Sequence, residues 1–152
     1  MNFEQYQDYL INTATSLLSI DSTSGFTAKV TDYLIDTVKE LGYPVYKNNI
    51  GNVIVTVEGE DDSEPVALSA HVDTLGLMVR SITSDGMLMI TSIGSPLLPS
   101  LDGEYCNIHT RDGRVYTGTI LSLSPAVHVF PDASTRDRDE QNMAVRIDEI
   151  VH

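Results

Sequence analysis

Apolar residues recur at three- and four-residue spacing through Phe3, Tyr6, Leu10, Ala14, Leu17 and Leu18. That is the period of one helix face, and it predicts an amphipathic helix of about four turns whose stripe faces a core. Asn2 followed by Gln5 resembles a capping box at its start. The segment S-I-D-S-T-S-G from Ser19 to Gly25 is a turn rich in capping residues. A second helix is expected from about Phe26 to Leu41, with Val30, Leu34, Val38 and Leu41 on its buried side. Gly42 ends it as a C-terminal cap and Pro44 as a stop.

From Tyr43 the period changes. Tyr43 to Asn48 and Asn52 to Glu58 read as two strands joined by the hairpin-like turn N-N-I-G-N. Glu58 to Glu64 is an acidic, solvated loop without the alternating ligands of a calcium loop. Val66 to Val72 is a short, mostly apolar run that reads as a buried strand in the middle of a parallel sheet. Two helices, a strand pair and a buried strand point to an α/β layer. After Gly76 only strands are expected: Leu77 to Ile82, Met87 to Ile93, Glu104 to Thr110, Val115 to Leu123, Val127 to Phe130 and Met143 to Ile150. S-D-G, R-D-G and several Pro and Gly residues separate them, which suggests a small barrel or sandwich. Ser134 to Asn142 is a charged loop. The chain stops at His152 just after a strand, which reads as a truncated end.

Charge narrows the partners. A formal net charge of −13 over 152 residues argues against nucleic acid, whose phosphates need Lys and Arg clusters, and against anionic membrane surfaces. It hints weakly at cationic ligands such as metals or peptide amines. Cys106 is the sole cysteine, so no intramolecular disulfide forms and the cytoplasm is the simplest compartment. The polar, acidic N-terminus is unlike a signal peptide, and no apolar run approaches membrane-spanning length.

Asp73 follows His71 by two residues, and in a strand such residues share a face. The pair would leave the carboxyl end of the buried strand, where open α/β sheets place ligands. One ring nitrogen of His71 could bind a cation while the Asp73 carboxylate holds the other N–H and fixes the tautomer. A strand-end histidine bonded to a neighbouring aspartate is also an ordinary structural device. A catalytic metal centre needs at least three protein ligands. His109 and His128 read as surface or packing residues, and Cys106 as a buried, inert thiol. H-E-x-x-H, C-x-x-C, the P-loop and G-x-S-x-G are all missing. By its own residues the chain holds one fragment of a site.

H-V-D-T-L-G-L-M-V at His71 to Val79 resembles the H-x-D-x-x-G-x-x-V signature of the glutamyl aminopeptidase-like metallopeptidases, peptidase family 42. Four further features fall in that family's order. They are S-G at Ser24 and Gly25, I-G-N at Ile50 to Asn52, G-T-I-L-S-L-S-P-A-V-H at Gly118 to His128, and R-I-D-E-I-V at Arg146 to Val151. The resemblance spans nearly the whole chain.

It implies the N-terminal portion of a binuclear-metal aminopeptidase, a little under half of a typical member. Residues 1–74 would be the first part of the catalytic α/β domain, two helices and a mixed sheet. Residues 75–152 would be a small all-β, barrel-like inserted domain serving oligomerisation or substrate access. On that analogy His71 binds one of two divalent ions, zinc or cobalt, and Asp73 orients His71. The bridging aspartate and general-base glutamate of the family lie beyond this chain. Peptides would be the substrates, and homo-oligomers, dimers or tetrahedral dodecamers, the assembled form at full length. Two cations would lower the pKa of a bridging water and polarise the scissile carbonyl, with the glutamate as base. Thr27 stands where relatives often carry Glu after S-G, and Thr74 where many have Glu after the aspartate; Thr74 bears on substrate preference more than on metal binding. The other class of reading is a non-catalytic module for assembly or peptide binding. A carboxypeptidase-like branch shares His-x-Asp, but its insert mixes helices with strands, whereas Leu77 to Ile150 reads as wholly β.

Overall fold

The computed structural model describes residues 3–61 and 63–149, and the chain divides into two compact units, Met1–Thr74 and Leu75–His152. In the first, a 3-10 turn at Phe3–Tyr6 leads into helix α1 (Gln7–Leu18), and helix α2 spans Ala28–Glu40. The cap expected of Asn2 lies outside the described residues. Gly42 at φ 81° closes α2 in the left-handed conformation that favours glycine. Strands β1 (Val45–Lys47) and β2 (Val53–Val55) form the expected antiparallel hairpin, and α2 packs against both. The Asn48 side-chain carbonyl organises its turn by accepting the N–H groups of Ile50 and Asn52 at 3.2 and 2.9 Å.

Little of this unit is buried. Val30 is its one buried hydrophobic residue among those described, with Ser22 and Thr31 beside it in burial class. The α1 stripe expected to face a core is open: Phe3 is 71% exposed, Leu10 57% and Leu18 76%. Leu41, expected on the buried side of α2, is also exposed. Val66 to Val72 corrects the sequence reading most. It belongs to no strand, and every residue from Ser63 to His71 is exposed, Leu68 almost completely. A strand needs ladder partners for its N–H and C=O groups, and none lies beside this run among the described residues. The parallel pairing that does occur is a lone bridge between Thr23 and Thr74.

The second unit carries the packed core. Strands β3 (Gly76–Ile82), β4 (Leu88–Ile93), β5 (Tyr105–His109), β6 (Val115–Ser122) and β7 (Met143–Ile147) form one antiparallel sheet. Their order is β3-β4-β7-β6-β5, and the sheet curls as half a barrel. Leu88, Ile90, Ile120, Met143 and Val145 of the strands make the core together with Leu98 from the 3-10 turn Leu98–Leu101. Two turns of the same chemistry, T-S-D-G-M at Thr83 to Met87 and T-R-D-G-R at Thr110 to Arg114, close β3–β4 and β5–β6. In each the threonine hydroxyl reaches the aspartate and the chain closes across five residues. Gly118 in β6 is there for space. A Cβ would lie 2.7 Å from both Ile108 Cδ1 and Val145 Cγ1, and 2.9 Å from the Arg146 carbonyl oxygen.

Two expectations change here. Val127 to Phe130 forms no strand: the N–H groups of Val129 and Phe130 both turn back to the Ala126 carbonyl. The last strand ends at Ile147, and Ile150 lies outside the described residues. The charged loop from Ser134 to Asn142 is tied to the sheet. Arg138 pairs with Asp102 at 3.3 Å, and Arg136 reaches the buried Ser124 hydroxyl at 2.7 Å. Glu140 accepts the Ser92 N–H at 2.6 Å and the Thr91 hydroxyl at 3.0 Å, while its own carbonyl takes Arg80 at 3.2 Å.

Glu140 gives a pH prediction. The Ser92 backbone N–H, helped by the Ser92 and Thr91 side chains, holds its carboxyl below the ordinary value of 4.5. A depressed native pKa means stability that is present above pH 4.5 and lost as pH falls through the lower, native value. Glu140→Gln should lower the thermal midpoint at neutral pH by about 5 °C. The gap to wild type should narrow below pH 4.5. A gap that stays constant into acid would show that the carboxylate does not anchor this loop.

Candidate functional site

Asp21 to Gly25, ahead of α2, forms a clamp on residues 72–74. The Ser22 side chain is fully buried and its hydroxyl donates to the Val72 carbonyl at 2.9 Å. The Thr74 N–H donates to the Ser22 carbonyl at 3.0 Å, and Thr23 pairs with Thr74 in the parallel bridge. Asp73 lies between two of these fixed points, so its backbone is held although no strand runs through it.

The structure brings His71 and Asp73 together. The Nδ1 atom of His71 lies 3.1 Å from Asp73 Oδ1 and 3.2 Å from the Asp73 carbonyl oxygen. Both neighbours are acceptors, which assigns the proton to Nδ1 and leaves the Nε2 lone pair free. The His71 side chain is 85% exposed and that of Asp73 41%. The second carboxylate oxygen, Oδ2, accepts the Ser24 hydroxyl. That bond, more than the His71 ring, holds the Asp73 carboxyl below its usual range. Asp73 is therefore an anion throughout the neutral range.

Ser24 was not legible as part of this site. Within S-I-D-S-T-S-G it reads as a capping residue, yet α2 begins after Thr27, which makes no side-chain cap bond. Cys106 sits half-buried in β5, where desolvation and then the Asp148 charge push its thiol up. A raised thiol is a poor nucleophile. His128 is exposed in the turn after Pro125, and His109 closes β5; neither lies within the first unit with His71.

A histidine ligand needs a free ring nitrogen open to the cation and a fixed tautomer. His71 has both. A catalytic centre needs three protein ligands, and no group of three or more His, Cys, Asp or Glu able to hold a metal occurs among the described residues. The residues fit one ligand of such a centre and its orienting carboxylate. No helix among the described residues is long and apolar enough to cross a membrane.

The chain has relatives among aminopeptidases in both sequence and fold. The chain is 45% identical over 136 residues to YhfE of Bacillus subtilis (strain 168), an aminopeptidase by its name, covering 90% of this chain and 39% of the relative. It is 34% identical over 108 residues to the glutamyl aminopeptidase of Lactococcus lactis subsp. cremoris, covering 69% of this chain and 30% of that protein. Among solved structures, an aminopeptidase from Desulfurococcus kamchatkensis superposes with a TM-score of 0.81 at 26% identity, over 94% of this chain and 38% of the other. The TET1 peptidase of Pyrococcus horikoshii, which can assemble into a tetrahedron or a large octahedral shell, gives 0.74 at 26% identity over 91% and 40%. The chain thus spans less than half the length of each. The family described as M42 glutamyl aminopeptidase matches residues 51–152, about two thirds of the sequence, and this chain belongs to it.

Proposed function

We propose that this chain is the N-terminal portion of a cytoplasmic, metal-dependent aminopeptidase that removes N-terminal residues from peptides. In it His71 is a ligand to one of two divalent ions, zinc or cobalt, and Asp73 sets the ring. The observation that supports this most is the doubly accepted Nδ1–H of His71, which turns a free Nε2 lone pair outward. Bound divalent ions would supply Lewis-acid activation of water and of the scissile carbonyl. The chain's own residues bind and orient: His71 offers Nε2, and Asp73 holds the Nδ1 proton and lends negative charge to the imidazole. The remaining ligands and the general base come from polypeptide corresponding to the part of the relatives this chain does not span. Residues 75–152 act as the inserted β domain for oligomerisation and substrate access.

One ligand cannot hold two ions tightly. Calorimetric titration of the 152-residue chain with zinc or cobalt should therefore show no tight binuclear binding, and two tightly held ions would overturn this ligand assignment. Co-expression with the complementary portion of the Bacillus subtilis relative should restore hydrolysis of aminoacyl-p-nitroanilides, and exhaustive chelation should remove it. Activity that survives chelation would end the metal reading. The second reading is a non-catalytic module for assembly or peptide binding. A stable but inactive complex would select it.

A further inference from the structure

We infer that Ser24 is a positioning residue for the His71–Asp73 pair: it fixes the plane of the Asp73 carboxylate and through it the tautomer of His71. The inference rests on the reading of His71 as a ligand set by Asp73, and asks what sets Asp73.

A carboxylate rotates broadly about its last torsion, which joins sp³ to sp² carbon and has no sharp staggered minima. Asp73 is partly exposed, so packing alone does not hold it. One hydrogen bond to one oxygen leaves the plane free to tilt. Here the two oxygens are divided: Oδ1 faces His71 Nδ1 at 3.1 Å, and Oδ2 takes the Ser24 hydroxyl. A bond on each oxygen defines the plane and aims Oδ1 at the ring N–H.

The donor is itself anchored. Ser24 stands two residues beyond Ser22, whose buried hydroxyl and carbonyl are both bonded to the segment 72–74. Thr23, between them, pairs with Thr74. The Phe26 N–H closes a turn onto the Thr23 carbonyl, so Ser24 is held from both sides. Its hydroxyl serves Asp73, 49 residues away in sequence. Charge-assisted bonds of this kind are stronger than neutral ones.

The test uses the 15N-histidine-labelled chain without metal, at alkaline pH where imidazole is neutral. Long-range proton–nitrogen spectra read the ratio of Nδ1–H to Nε2–H tautomers at His71. Wild type should favour Nδ1–H. Ser24→Ala should lower that ratio by roughly threefold, and Ser24→Thr should restore it. In an Asp73→Ala background the same Ser24→Ala change should leave the ratio unmoved. An unchanged ratio in the single variant, or an equal shift in both backgrounds, would overturn the inference. Should the alanine variant lose its native amide spectrum, Ser24→Cys keeps the volume with a weaker donor. It should shift the ratio in the same direction, and a wild-type ratio there would again overturn it. Because no ion is present, a failure of His71 to bind metal leaves this outcome untouched, and the two claims fail separately.

Discussion

His71→Ala is expected to lower turnover by the complemented enzyme by about 10³-fold. Lewis-acid activation is worth several kcal/mol of transition-state stabilisation, and each ~1.4 kcal/mol is a factor of ten in rate. On the proposed ligand role of His71, its loss forfeits most of that. Asp73→Asn should cost less, about 10- to 100-fold, as changes to a ligand's orienting partner do. The order of the two effects matters as much as their size, because it separates a residue that binds from one that orients. Turnover within tenfold of wild type for His71→Ala would remove His71 from the metal centre. The measurement is kcat and KM on an aminoacyl-p-nitroanilide at saturating zinc or cobalt, with bound metal counted in each preparation.

The largest stability effect belongs to the second unit. Ile90 and Met143 are 1% and 0% exposed, among the largest fully buried side chains in the chain. Ile90→Ala or Met143→Ala should destabilise the unit by about 2–5 kcal/mol, the transfer loss plus the cavity left behind. A unit of this size has a total stability near the lower end of about 5–15 kcal/mol. Either change should thus lower its thermal midpoint by more than about 10 °C. Leu68→Ser makes the contrast. Leu68 is just as apolar but 98% exposed, and its replacement should leave the midpoint unchanged. Near-ultraviolet circular dichroism against temperature reads all three variants. A shift below 5 °C for both core variants would contradict the packing described.

Local signals carried well into the structure. The helical period found α1 and α2 within a few residues, and T-S-D-G-M and T-R-D-G-R sit at real hairpins because their turn chemistry is self-contained. The failures share a cause. Val66 to Val72 reads as buried because its residues could be, but burial depends on a neighbour and hydrophobicity does not supply one. Val127 to Phe130 has β-branched alternation, yet the prolines at 125 and 131 flank it and local bonds to Ala126 win. The loop around Glu140 reads only as charged, and no local pattern shows that its partners lie more than forty residues earlier. The same distinction holds at the site. His71 and Asp73 are near in sequence and were legible together. Ser22 and Ser24 join them through a parallel bridge, which no local pattern announces.

Val30 as the sole buried hydrophobic residue described in the first unit has a consequence for biosynthesis. A ribosome releases residues 1–74 before the strands that follow, yet those early residues enclose almost no apolar surface with which to offset the entropy of ordering a backbone. The later strands hold a complete core of their own. The order in which this polypeptide emerges is therefore the reverse of the order in which its two units can gain lasting structure.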